Sequence, residues 1–345
     1  MTVGQPPLSV NLVLDVSGSA LFFQCGKPGY KSTSYDPILC GSRCCPTPKD
    51  ECFHNTCYGP FRPTCRNETC TSADVSLLPD GANGVLGLAN SSTSFVSDLV
   101  SSYKIPYKVA LCLPSKSGKD YSGNAYIGGG PYLLPLDHRC FLLHYFSLKR
   151  KDLTGLLVST PLISNRETKE HGEDYNYFID VKSIEVNGKR LSFDHDLLKN
   201  KRGHWGRTKI KNVIPYTLLE AYIYKALVRA FSEKTKKRKA VYPFTDCFSY
   251  KSFGEKSLLG KETPVISLVL GEGAKWDIYG PNSLVKVNKN VVCLAFQEAD
   301  EFESLFPIEI GGYQMEDNLV EFDLEASKFS FTSSLLRHNT SCSPQ

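Results

Sequence analysis

The chain alternates short apolar runs with glycine- and serine-rich breaks. Residues 10–15 form a β-branched run that ends in an aspartate and then a turn at Ser17-Gly18-Ser19. Runs at 84–88, 107–113 and 124–127 read as further strands punctuated by glycine. Residues 178–186 are apolar at Phe178, Ile179, Val181, Ile184 and Val186, and stop at Asn187-Gly188, a hairpin-type turn. Runs at 265–270, 283–287, 291–296, 306–310, 319–324 and 329–332 continue the series. So many short strands predict an all-β barrel or sandwich.

Two segments carry a helical period instead. Residues 94–102 place Phe95, Leu99 and Val100 on one face, and residues 217–233 repeat apolar positions from Leu218 to Phe231. The basic run Lys234 to Lys239 that follows reads as a solvated loop. Near 149–160 the style changes from cysteines and glycines to longer strands and charged loops. We therefore expect an N-terminal lobe at 1–155 and a C-terminal lobe at 156–345.

Composition narrows the classes. Apolar residues are 41% and the net charge is only +4, which excludes a disordered chain and gives no argument for nucleic acid. No apolar stretch is long enough to span a membrane as a helix. Eight of the 13 cysteines lie between Cys25 and Cys70, the mark of a disulfide framework made in an oxidising compartment. Cys52, Cys57, Cys65 and Cys70 have loosely zinc-like spacing, but only His54 accompanies them, so neither a metal nor a cofactor is expected. Sequons at Asn67, Asn90 and Asn339 agree with a glycosylated extracellular or cell-wall protein, although residues 1–7 show no signal peptide.

Several segments then carry a resemblance. Leu12-Val13-Leu14-Asp15-Val16-Ser17-Gly18-Ser19 puts an aspartate at a strand end. Asn83-Gly84-Val85-Leu86-Gly87-Leu88, the helix around 215–231 and the segment 308–324 with its Ile310-Gly311-Gly312 complete the pattern. Together they resemble the pepsin-like aspartic protease family. That resemblance implies an all-β, bilobal fold with two barrel-like lobes around a cleft.

Aspartic proteases need two carboxylates sharing one proton. Asp15 is kept, but Val16 replaces the hydroxyl that follows it in the family. In the segment 208–217, which matches the second turn, Lys211 stands at the second aspartate's place. An ammonium there would remove the dyad and hold Asp15 ionised. Asp15 is then a vestigial turn residue.

The segments 35–44, 63–70, 208–217, 241–247, 312–318 and 335–342 are most similar to a plant subgroup, the xylanase-inhibitor-like and extracellular-dermal-glycoprotein-like proteins. The resemblance implies a catalytically inactive, secreted monomer that inhibits microbial glycoside hydrolases, xylanase or xyloglucanase, in plant defence. His338 matches a histidine that enters between the target's two carboxylates, a geometry that suits a retaining glycosidase. Arg337 is a neighbouring candidate contact, and Asp246 matches a second contact position. The resemblance also implies the pairs Cys247–Cys293 and Cys112–Cys342. It implies a shortened N-terminal lobe as well, because the flap segment expected after Cys70 is missing. Cys25 then lacks its partner, and Cys45 and Cys140 are additions. The alternatives are an aspartic-type endopeptidase with weak activity and a cell-wall defence or storage glycoprotein.

Overall fold

The computed structural model describes residues 2–3, 8–19, 21–23, 64–66, 69–71, 78, 81–89, 91, 94–115, 123–135, 150–164, 176–199, 207–233, 235–254, 258–300 and 306–343. It is mostly β with few helices. The chain divides into two compact units, 1–105 with 166–175, and 106–165 with 176–345.

The first unit is built on three strands in the order Leu12–Asp15, Gly84–Gly87, Leu21–Phe23. The middle strand runs parallel to the first and antiparallel to the last. Helix Phe95–Tyr103 follows, capped by the Ser94 hydroxyl, which accepts from the Ser97 N–H at 3.1 Å.

The second unit holds four larger sheets, none of them closed into a barrel among the described residues. A five-stranded sheet joins Lys108–Cys112 to Leu319–Asp323 and thence to Lys328–Phe331. Residues 106–155, placed by sequence style with the N-terminal lobe, thus share a compact unit with the closing strands. Trp276, fully buried, stacks on Phe331 at 5.0 Å and meets Phe329 at 5.7 Å. Burial of each such ring stabilises the unit by roughly 1.5–3 kcal/mol.

Three expected elements differ in form. The run 178–186 is two strands, Tyr177–Ile179 and Val181–Val186, in different sheets. Tyr177, Phe178 and Ile179 are all buried, so both faces of the first piece are covered and the chain can change sheets at Asp180. Helix Ala221–Ser232 begins later than its apolar period, because Thr217–Leu219 pairs as a strand with Phe296–Glu298 and Ile308–Ile310. The Glu220 carboxylate caps this helix, accepting from the Tyr222 and Ile223 N–H groups. Its buried face is Ile223, Tyr224, Leu227, Val228 and Phe231. The basic run contains a short edge strand, Lys237–Arg238, paired with Cys247–Ser249.

Candidate functional site

Each unit contains one turn of the same design. In the first, strand Leu12–Asp15 enters the turn and its neighbour Gly84–Gly87 runs parallel, Asp15 opposite Gly87. Asp15 is buried; its carbonyl accepts from Gly18 N at 3.1 Å and Leu88 N at 2.8 Å. Its carboxylate accepts from Ser17 N at 2.9 Å. Gly18 is required here, since a Cβ would lie 2.9 Å from the Gly87 Cα. Val16 is buried and offers no hydroxyl.

In the second unit, strand Thr208–Ile210 enters the turn and Ile308–Ile310 runs parallel to it. Ile214 N donates to the Lys211 carbonyl at 3.2 Å, and Lys211 N donates to the Ile310 carbonyl at 2.9 Å. Gly311 packs so tightly on the turn that a Cβ would lie 2.5 Å from the Tyr216 carbonyl carbon. Lys211 Nζ lies 3.6 Å from the buried Glu309 carboxylate. Gln314, also buried, locks the return strand: it accepts from Thr217 Oγ1 at 2.7 Å and donates to the Ala295 carbonyl at 2.8 Å.

The family comparison rests on this geometry. A model described as "Xylanase inhibitor C-terminal" matches residues 176–333, and "Xylanase inhibitor N-terminal" matches residues 67–129. A "Probable aspartic proteinase GIP2" of Nicotiana benthamiana is 30% identical over 387 residues, covering 98% of this chain and 85% of the relative. The chain belongs to the xylanase-inhibitor-like group of pepsin-like aspartic proteinases. The solved structure titled "Crystal structure of edgp" shares 29% identity at a TM-score of 0.79, covering 99% of this chain and 92% of that one. Conglutin gamma from lupine seeds shares 25% identity at a TM-score of 0.73, covering 99% and 93%. The 387-residue alignment exceeds the chain's 345 residues, so the Nicotiana relative carries segments this family member lacks.

In this xylanase-inhibitor-like chain, the segment 335–342 opens with a short helical turn, Leu335–His338, on a fixed base. Leu335 is fully buried, and its N–H donates to the Asp317 carbonyl at 2.8 Å. Cys342 is bonded to Cys112, and its N–H donates to Asp317 Oδ1 at 2.8 Å. Ser334 N donates to Asn318 Oδ1 at 2.6 Å. Between these anchors Arg337, His338 and Asn339 are all exposed. The Arg337 guanidinium sits 4.4 Å from the Tyr279 ring, a cation–π contact that limits its reach. Partial desolvation of the His338 ring, helped by the charges of Lys151 and Arg337, pushes its pKa below the usual histidine value. Asn339 takes a left-handed conformation at φ 53°. Asn67 and Asn90 lie outside the described residues, as do Cys25, Cys45 and Cys140.

A second loop, around 241–246, packs Phe244 against the Cys247–Cys293 disulfide. Asp246 faces inward: Tyr224 Oη donates to it at 2.8 Å and Lys237 Nζ lies at 3.3 Å. Tyr242, four residues earlier, is 97% exposed at the tip of the turn. It is the large apolar group displayed there, and sequence reading passed over it because an exposed tyrosine has no periodicity to announce it.

Glu316 was also missed. Burial, with the adjacent Asp317 charge second, pushes its carboxyl up to about 7. Asn282 and Asn318 hold its carbonyl at 2.8 and 2.9 Å, which fixes the segment. The only sequence signal was the acidic doublet Glu316-Asp317. Among the described residues no cluster of His, Cys, Asp or Glu could hold a metal ion, and no helix is long and apolar enough to cross a membrane.

Proposed function

We propose that this protein is a non-catalytic member of its family and an extracellular inhibitor of a glycoside hydrolase, xylanase or xyloglucan endoglucanase, acting as a monomer. The observation that carries the reading is the 335–342 turn. It offers an imidazole and a guanidinium from a base fixed by a disulfide and by the Asp317 hydrogen bonds. A ligand group held this way loses little entropy on docking.

The loss of catalysis is supported by the likeness of the two turns. Both have a bond from residue i+3 back to the carbonyl of residue i, Gly18 to Asp15 and Ile214 to Lys211, with Asp15 the last residue of its strand and Lys211 the first after its own. Counting this way makes Lys211 the counterpart of Asp15. A carboxylate and an ammonium cannot share one proton as two carboxylates do. Asp15 has its carboxylate committed to the Ser17 N–H, which suits a turn residue.

His338 would reach its target largely neutral and take up a proton between two carboxylates, gaining charge-assisted hydrogen bonds. Inhibition then strengthens as pH falls through the histidine range. Asp246 contributes by fixing the turn that displays Tyr242. The test is a panel of secreted fungal and bacterial xylanases and xyloglucanases, run beside an acid-pH peptidase assay. Stoichiometric inhibition of one hydrolase without peptidase activity is expected. Peptide cleavage blocked by a transition-state peptide inhibitor would overturn the reading.

A further inference from the structure

Among the described residues, seven lysines are neutralised by a neighbouring carboxylate. Lys108, Lys182, Lys199, Lys211, Lys225, Lys237 and Lys275 each lie within 4.0 Å of a carboxylate. Three cations that are not neutralised gather at one place. Lys189 and Arg190, on the return strand of a hairpin, and Arg229, on helix Ala221–Ser232, line a single groove of about 310 Å³. All three are exposed, and among the described residues none is ion-paired. The acid across the hairpin from Arg190 is Glu185, but that carboxylate is taken by Lys275 Nζ at 2.7 Å. Among the described residues only Glu233 brings negative charge to the groove.

Like charges crowded into a concavity repel and are costly to hold without a counter-ion. The groove is nevertheless kept in shape. Asn187 N donates to the Val265 carbonyl at 2.9 Å, and Val265 N donates to Asn187 Oδ1 at 3.0 Å, so the hairpin is clamped to the segment beside Pro264. The volume lies at the small-ligand end of the usual range for binding sites. A second hollow along the same helix shares Arg229 and Glu233 with the first; there Lys225 and Lys237 are neutralised by Glu298 and Asp246, so the unpaired positive charge is confined to the first.

We infer that this surface binds a carboxylated glycan, a polyuronide chain lying along helix Ala221–Ser232 with one carboxylate between Arg190 and Arg229. Guanidinium forks match carboxylates in a bidentate way that ammonium groups do not. Ala226, Ala230, Leu191 and Pro264 give an apolar floor for the C–H faces of sugar rings, and Ser192 offers a hydroxyl partner. Among the described residues no exposed aromatic lines the groove to give the base stacking that single-stranded nucleic acid needs. The site is independent of the 335–342 turn and stands whether or not the protein inhibits a hydrolase.

The test is titration calorimetry of the full, disulfide-bonded chain with a galacturonate oligomer of defined length. Its methyl ester, a neutral xyloglucan oligomer, a sulfated glycan and an oligothymidylate serve as comparison ligands. The galacturonate oligomer should bind, weaken with added salt, and lose about tenfold in affinity on Arg190→Gln or Arg229→Gln. Lys199→Gln, a cation paired elsewhere, should leave binding unchanged. Circular dichroism melts of the two arginine variants should match the wild type, since both side chains are exposed. The inference is overturned if the galacturonate oligomer does not bind, or if its ester binds equally well. It also fails if the sulfated glycan or the oligothymidylate binds more tightly, or if both arginine variants retain full affinity.

Discussion

Replacing Glu316 by Gln should stabilise the protein, and only at high pH. The carboxyl is raised from 4.5 to about 7, first by burial and then by the Asp317 charge. Asp317 stays fixed as an acceptor for Cys342 N and for Ser115 Oγ at 2.5 Å, so its charge cannot move away. A folded-state value above the unfolded one means that the folded protein binds the proton more tightly. The stability this provides is complete below the unfolded value near 4.5 and is lost as pH rises through about 7. An elevation of that size corresponds to about 3 kcal/mol, and partial solvent access on one side trims it to about 2–3 kcal/mol. Gln keeps the shape and cannot ionise. Urea unfolding at about pH 8.5 should therefore show Glu316→Gln more stable than wild type by about 2–3 kcal/mol, and at about pH 4 the two should coincide. Equal stabilities at high pH, or a less stable variant, would refute the reasoning.

Three further outcomes follow from the packing. Gly311→Ala forces a Cβ to within 2.5 Å of the Tyr216 backbone, and thermal melting should show a loss of about 3 kcal/mol or more. Removing the Cys112–Cys342 bond, which spans 230 residues, by double substitution to Ser should cost about 2–5 kcal/mol in urea and weaken hydrolase inhibition, because the 335–342 turn loses its anchor. Asp323 is desolvated, yet its 2.6 Å contact with Lys108 holds its carboxyl below the usual range. Its contribution is present above the ordinary carboxylate range and fades as pH falls through the folded value, so Asp323→Asn should cost about 1–2 kcal/mol near neutrality and progressively less in acid.

Much of the architecture is legible in residue order, because short strands separated by glycine leave a local signature. Leu12–Asp15, Lys108–Cys112, Ile266–Leu270 and Leu319–Asp323 stand close to where the apolar runs place them. Other features depend on contacts far away in sequence. Thr217–Leu219 has helical periodicity, but pairing with Phe296–Glu298 outweighs that weak preference. The Asp180 break is invisible because an apolar run looks the same whether one sheet or two receive it. The disulfides Cys112–Cys342 and Cys247–Cys293 came from family likeness, since spacing alone leaves many pairings open. Glu316 and the Arg190–Arg229 groove arise where segments distant in the chain meet. Likewise nothing in the sequence around Asp246 says that Tyr224 and Lys237 turn it inward while Tyr242 is left exposed.

The central claim is that a histidine on the anchored 335–342 turn blocks a glycoside hydrolase. It is tested most directly by measuring the inhibition constant of wild type and His338→Ala against the most sensitive enzyme of the hydrolase panel, across mildly acid to neutral pH. The account predicts that the variant folds normally, inhibits at least about a hundredfold less well, as expected for a buried charge-paired contact, and loses the strengthening expected at low pH. Inhibition that survives the substitution undiminished would contradict it.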